Sequence, residues 1–257
     1  MGMGGGGIGR PGPNGAPMTE LIVALDVADA DRAVALAGRL SAERVMLKIG
    51  YEALYGYPAE IRRALRELGA QVFMDAKLCD IPRTVGAGVR ALVEPGVRIV
   101  DVHALGGAAM MRAAVDAASG RARELGMAVP PKVFAVTILT SLAADDLDDI
   151  GLGGSAEEHA IRLAALARAA GCAGVVCSAL EVPRIKQACG SSFQTLCPGI
   201  RPAGADHGDQ KRVVTPREAA ELGADYIVVG RPVTQAADPV AAARAILDEL
   251  GAVTRAS

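Results

Sequence analysis

Residues 71–84 read QVFMDAKLCDIPRT. After its first residue, Gln71–Leu78 is an apolar run interrupted only by Asp75 and Lys77 near its end. Ile81-Pro82 follows, and a proline pushes the residue before it into extended backbone while suiting the first turn of a helix. The stretch therefore predicts a strand that carries charge at its C-terminal end and gives way to a helix.

The same unit recurs in both directions along the chain. Apolar runs lie at Leu21–Val27, Arg44–Gly50, Gln71–Leu78, Arg98–Leu105, Lys132–Leu139, Gly174–Ser178, Thr195–Ile200 and Tyr226–Val233. They are nearly continuous in apolar character, as parallel strands buried on both faces should be. Helical segments separate them. In Glu52–Leu68 the residues Leu54, Ile61, Leu65 and Leu68 recur at helical spacing, and Gly69 supplies a C-cap. Asp29, Ser155 and Thr215 are N-caps, the last followed by Pro216, and Asp238-Pro239 opens the final helix in the same way. Strand and helix alternating eight times predict an α/β fold, a single (β/α)8 TIM barrel rather than an open doubly wound sheet.

Length agrees, since 257 residues suit one barrel domain. The domain is expected over residues 19–257, behind a flexible Gly/Pro-rich tail at 1–18 that lacks the apolar core of a secretory signal. The GGGGIG run in that tail follows no strand, so it does not read as a dinucleotide fingerprint. With no Trp and few aromatics, the core must be filled by Val, Ile, Leu and Ala. A net charge of −2 offers no footprint for nucleic acid. No apolar run approaches the roughly 18 residues of a membrane span, and a cytoplasmic location follows. Five cysteines without CxxC spacing and three scattered histidines point to neither disulfides nor a metal cluster.

Polar residues gather where barrel chemistry sits, at the C-terminal strand ends. They are Asp26, Lys48, Asp75 with Lys77, His103, Thr140, Ser178 and Arg231. Asp75 and Lys77, two apart on a strand, should share a face. Asp80 follows closely, and Lys48 can complete a row of alternating charge in which each group keeps its neighbours ionised. A purely structural ion-pair network is the alternative. A second group, Pro198–Pro202 with Gly208-Asp209-Gln210 and Gly230-Arg231, follows the last two strands, where barrels commonly bind phosphate. Two connections, Ser141–Gly154 and Arg201–Val214, are long enough to cover a ligand.

ALDV at 24–27, LKIG at 47–50, DAKLCDIPRT at 75–84, VTILTS at 136–141, CPGIRP at 197–202, GDQ at 208–210 and VVGRPVT at 228–234 together resemble the orotidine 5′-phosphate decarboxylase family of bacterial type. Leu78-Cys79 departs from the family, which often has an aromatic and a His there. The resemblance implies decarboxylation of orotidine 5′-phosphate without cofactor or metal. Lys77 would protonate C6, Asp75 would face the departing carboxylate, and Lys48 and Asp80 would complete the charged row. Asp26, Lys48, Asp80 and Thr84 would hold the ribose, Thr140 the base, and Pro198 would pack against it. Arg201, Gln210, Gly230 and Arg231 would bind the 5′-phosphate. The active unit would be a homodimer, with Asp80 and Thr84 crossing to the partner's site. Magnesium-dependent sugar-phosphate relatives share the barrel but carry a carboxylate at the second strand end, where this chain has Lys48. A non-catalytic phosphate-binding barrel would have no use for the charged row.

Overall fold

The computed structural model describes residues 19–202 and 214–256. Eight strands form a closed barrel: β1 Glu20–Ala24, β2 Met46–Ile49, β3 Val72–Leu78, β4 Val97–His103, β5 Lys132–Val136, β6 Gly174–Val176, β7 Gln194–Cys197 and β8 Tyr226–Val229. Each pairs in parallel with the next, and β8 closes onto β1. The expected (β/α)8 barrel is what the chain forms.

Every strand lies inside or beside its expected run. Most end earlier, because the chain stays extended and apolar beyond the last ladder hydrogen bond. The largest difference is at β8. It stops at Val229, and Arg231–Thr234 is a turn of helix led by Pro232. Arg231 thus starts a helix instead of ending a strand.

The expected helix Glu52–Leu68 is two helices, Tyr51–Gly56 and Pro58–Glu67. Pro58 cannot continue the first and pushes Tyr57 out of helical backbone, to φ −148°, ψ 55°. The Tyr57 ring is buried and its hydroxyl donates to the Val27 carbonyl. Ile61 and Leu65 face the core as expected, whereas Leu68 is exposed. The caps at Asp29, Ser155 and Thr215 form, each accepting from a backbone N–H of the first turn. Gly69 has the left-handed φ of +63° that ends a helix.

Two apolar layers result. One lies between sheet and helices and is rich in Ala, Val and Leu. The other fills the barrel, with Ile22, Met46, Phe73, Ile99, Phe134 and Leu196 among its members. Phe134 meets Tyr226 edge-on, with centroids 5.8 Å apart. Because side chains alternate along a strand, the residue two positions further on points inward as well. Above Met46, Phe73 and Ile99 stand Lys48, Asp75 and Asp101. The apolar plug of the barrel is therefore the floor of a charged site.

Candidate active site

Four side chains at that level form a row of alternating charge. Lys48 Nζ lies 2.9 Å from Asp26 Oδ1 and 2.8 Å from Asp75 Oδ2. The other Asp75 oxygen pairs with Lys77 Nζ. Lys48 and Asp75 are buried, Asp26 is half exposed, and Lys77 reaches the opening. Burial would favour a neutral Lys48, but Asp75 and Asp26 outweigh it and raise the ammonium above its ordinary range. Burial likewise works against the Asp75 carboxylate, yet Lys48 and Lys77 hold its carboxyl at about 2. Lys48 and Asp75 therefore keep opposite charges although both are buried. Lys77 Nζ also sits 5.8 Å from the centre of the Tyr51 ring.

The backbone is shaped to hold this row. Between Met74 and Leu78, β3 advances four residues while its partner β4 advances two, from Val100 to Val102. The two extra residues bulge, and Lys77 takes a φ of +43°, the left-handed region that side chains seldom adopt. Asp75 and Lys77 do meet, but across a bulge and not by the simple alternation of a regular strand.

Two residues of this site escaped the sequence reading. Gly50 is one: a methyl group there would lie 2.9 Å from Lys48 Nζ and 3.0 Å from Asp26 Oδ1. Only glycine leaves that space to the ion pair. Asp101 is the other, and it is completely buried beneath the bulge. Its Oδ1 accepts the Lys77 backbone N–H at 2.7 Å. Its signal in the sequence was slight, a lone acid two places before His103 in an apolar run. His103 stands above it, its Nδ1 buried without a hydrogen-bond partner among the described residues, and burial together with Lys77 lowers its pKa.

Asp80 and Thr84 are not brought into the row. Both are exposed, and Asp80 Oδ1 accepts from the neighbouring Ile81 N–H at 2.6 Å. Among the described residues, Asp80 forms no ion pair with Lys48 or Lys77 of its own chain. The reason is local: the chain leaves the barrel at Cys79 and turns outward into the helix Pro82–Leu92.

The second group of residues singled out in the sequence is assembled in part. Gly199, at φ +78°, turns the chain after β7. Ile200 bridges Val214, and the Arg201 N–H bonds the Val214 carbonyl at 3.0 Å, so both ends of the long connection are held together. Arg201 is buried, and its guanidinium donates to the Ile200 carbonyl at 2.9 Å. Pro198 is half-buried beside it, and Thr140 is half-buried in the turn after β5. Gly230 and Arg231 follow β8. Gln210 lies outside the described residues.

Residues 19–246 match the family described as orotidine 5′-phosphate decarboxylase / HUMPS. The chain belongs to that family. It is a carboxy-lyase. A protein named orotidine 5′-phosphate decarboxylase from Sodalis glossinidius is 49% identical over 232 residues, 90% of each chain. One of the same name from Nitratidesulfovibrio vulgaris is 48% identical over 239 residues, 93% of this chain and all of that protein. The crystal structure of orotidine 5′-phosphate decarboxylase from Lactobacillus acidophilus superposes with a TM-score of 0.78 at 36% identity, covering 90% of this chain and 99% of that one.

The family membership, the barrel and the charged row thus rest on separate observations that agree. Among the described residues no helix is long and apolar enough to cross a membrane.

Proposed function

We propose that the charged row decarboxylates orotidine 5′-phosphate to uridine 5′-phosphate, the pyrimidine-biosynthetic reaction that gives the relatives their name. The observation that carries this is the row of paired charges Asp26–Lys48–Asp75–Lys77 at the barrel mouth. The C6–carboxylate bond breaks, carbon dioxide leaves, and the electron pair stays on C6. No cofactor need accept it, because the Lys77 ammonium is already fixed beside the site of developing charge and requires little reorganisation. Lys77 then gives its proton to C6 and recovers one from water. Asp75 holds Lys77 in place and faces the departing carboxylate.

Asp26 and Lys48 are assigned to the ribose, Thr140 and Pro198 to the base. Arg201, Gln210, Gly230 and Arg231 are assigned to the phosphate. Binding energy from that remote group contributes to turnover as well as to affinity. Lys48 supports a reaction without metal: an ammonium at the second strand end would repel the Mg2+ that carboxylate-bearing relatives recruit there. Asp80 and Thr84, exposed and turned outward, suit the site of a partner subunit, and Ile81 beside them leaves apolar surface exposed. The enzyme is read as a homodimer of the cytoplasm.

Loss of the orotate chromophore, followed after exhaustive chelation, tests the reaction. Steady turnover that added Mg2+ does not increase is expected. Chelator-sensitive turnover restored by Mg2+ would move the assignment to the metal-using relatives, and no turnover would favour a non-catalytic barrel. Mixing inactive Lys77→Ala and Asp80→Ala proteins tests the shared site. With free exchange about half the dimers are mixed, each with one intact site, so activity should return toward a quarter of wild type. Exchange verified by mass spectrometry with no return of activity would refute sharing through Asp80.

A further inference from the structure

The bulge in β3 leaves Lys77 without a register partner in β4, so its N–H needs another acceptor. Asp101 supplies it, at 2.7 Å. Its second oxygen, Oδ2, is buried and meets no N–H or O–H donor among the described residues. From β3 the Asp75 carboxylate acts on Asp101 through both hydrogen bonding and charge. Two carboxylates can share such a contact only if one of them carries a proton. Asp75 already accepts from Lys48 and Lys77, so both of its oxygens favour the ionised form. Asp101 has one backbone N–H and complete burial, which penalises a charge heavily.

We propose that Asp101 is a positioning residue for the reaction: Oδ1 anchors the left-handed Lys77 backbone, and the proton on Oδ2 is donated to Asp75. A single neutral carboxyl thereby fixes both partners of the Asp75–Lys77 pair relative to each other. Burial, then the charge of Asp75, push the Asp101 carboxyl well above the usual carboxylate range, in agreement with this arrangement. The ionisable groups around Asp101 are Asp75 and Lys77 from β3, Tyr51 from the helix that follows β2, and His103 on its own strand. At its register position in β5 it meets the apolar Phe134. The proposal rests on the assignment of Lys77 as proton donor.

Asparagine reproduces this bonding pattern, because its amide oxygen can accept from Lys77 and its NH2 can donate to Asp75. Asp101→Asn should therefore keep kcat within roughly threefold of wild type, whereas Asp101→Ala should lose on the order of a hundredfold or more, with binding of uridine 5′-phosphate nearly unchanged. Infrared spectra at neutral pH should show a protonated-carboxyl band in the wild type, shifted in D2O and missing from Asp101→Asn. The proposal is overturned if Asp101→Ala retains kcat within about twofold. It is equally overturned if Asp101→Asn is as impaired as the alanine variant, or if no carboxyl band disappears. Should the alanine variant fail to fold, the kcat and infrared band of Asp101→Asn decide alone. Activity surviving in Lys77→Ala would instead refute the Lys77 assignment and leave the infrared result standing.

Discussion

Two lysines at opposite ends of this barrel meet different fates. At the mouth, Lys48 is buried between two carboxylates at 2.8 and 2.9 Å, and they keep it charged against the cost of burial. At the other end, Lys132 opens β5 and donates to the Tyr226 hydroxyl at 2.9 Å, with the Tyr226 ring centre 5.5 Å away. Burial lowers its pKa, Arg98 adds to the effect, and Glu20 opposes it without winning. A cavity of about 470 Å³, bounded in part by Glu20, Arg98, Lys132 and Tyr226, opens at that end. A cavity alone therefore does not mark the proposed chemistry. Close pairing of charge marks it, because ionised groups can be held out of water only where opposite charges are fixed beside them.

Substitutions at the two lysines separate these roles. Lys48→Met should reduce kcat/KM by more than a hundredfold, and removing the shared cation from two carboxylates should cost about 2–4 kcal/mol, somewhat less than for a wholly buried pair because Asp26 is half exposed. Steady-state kinetics with urea denaturation checks both. A Lys48→Met variant with near-normal turnover would erase the contrast.

Acid should have a smaller effect on the mouth. The folded-state pKa of Asp75, about 2, lies below the ordinary value of 3.8, so its contribution to stability is complete above about pH 4 and is lost as pH falls through 2. The difference in Tm between wild type and Asp75→Asn should stay level from about pH 5 to 8 and shrink below about pH 4. Shrinkage already near neutrality would mean that Asp75 is not held ionised by its two lysines.

Lys132→Met should do least. Turnover is expected to remain within about twofold and stability within about 1 kcal/mol, since the residue leaves one hydroxyl contact and no buried carboxylate unpaired. A large loss of activity there would show that the two ends of the barrel are coupled.

The barrel was legible because eight apolar runs separated by capped helical segments leave little choice of architecture. Local departures from the expected fold follow from signals weaker than hydrophobic period. Pro58 and Pro232 were visible as breakers, yet the apolar pattern ran through both, so one helix appeared continuous and β8 too long. The charged residues were legible as a set, but their geometry was not. Alternation along an ideal strand cannot foresee a bulge, and Lys77 owes its position to one. Nor can it show that the chain turns outward after Cys79 and takes Asp80 away from its own row. Asp101 was hidden for another reason. A buried neutral carboxyl and a surface carboxylate have the same letter, and only the packing around it tells them apart.

The proposed reaction depends on Lys77 as the group that protonates C6. Replacing it with Ala, and measuring kcat alongside the affinity for uridine 5′-phosphate, separates chemistry from binding. Turnover should vanish while the nucleotide still binds through the contacts proposed for Arg231, Gln210 and Thr140. A variant that keeps more than about a tenth of wild-type kcat, a barrier change of only ~1.4 kcal/mol, would contradict the assignment and with it the reading of the charged row.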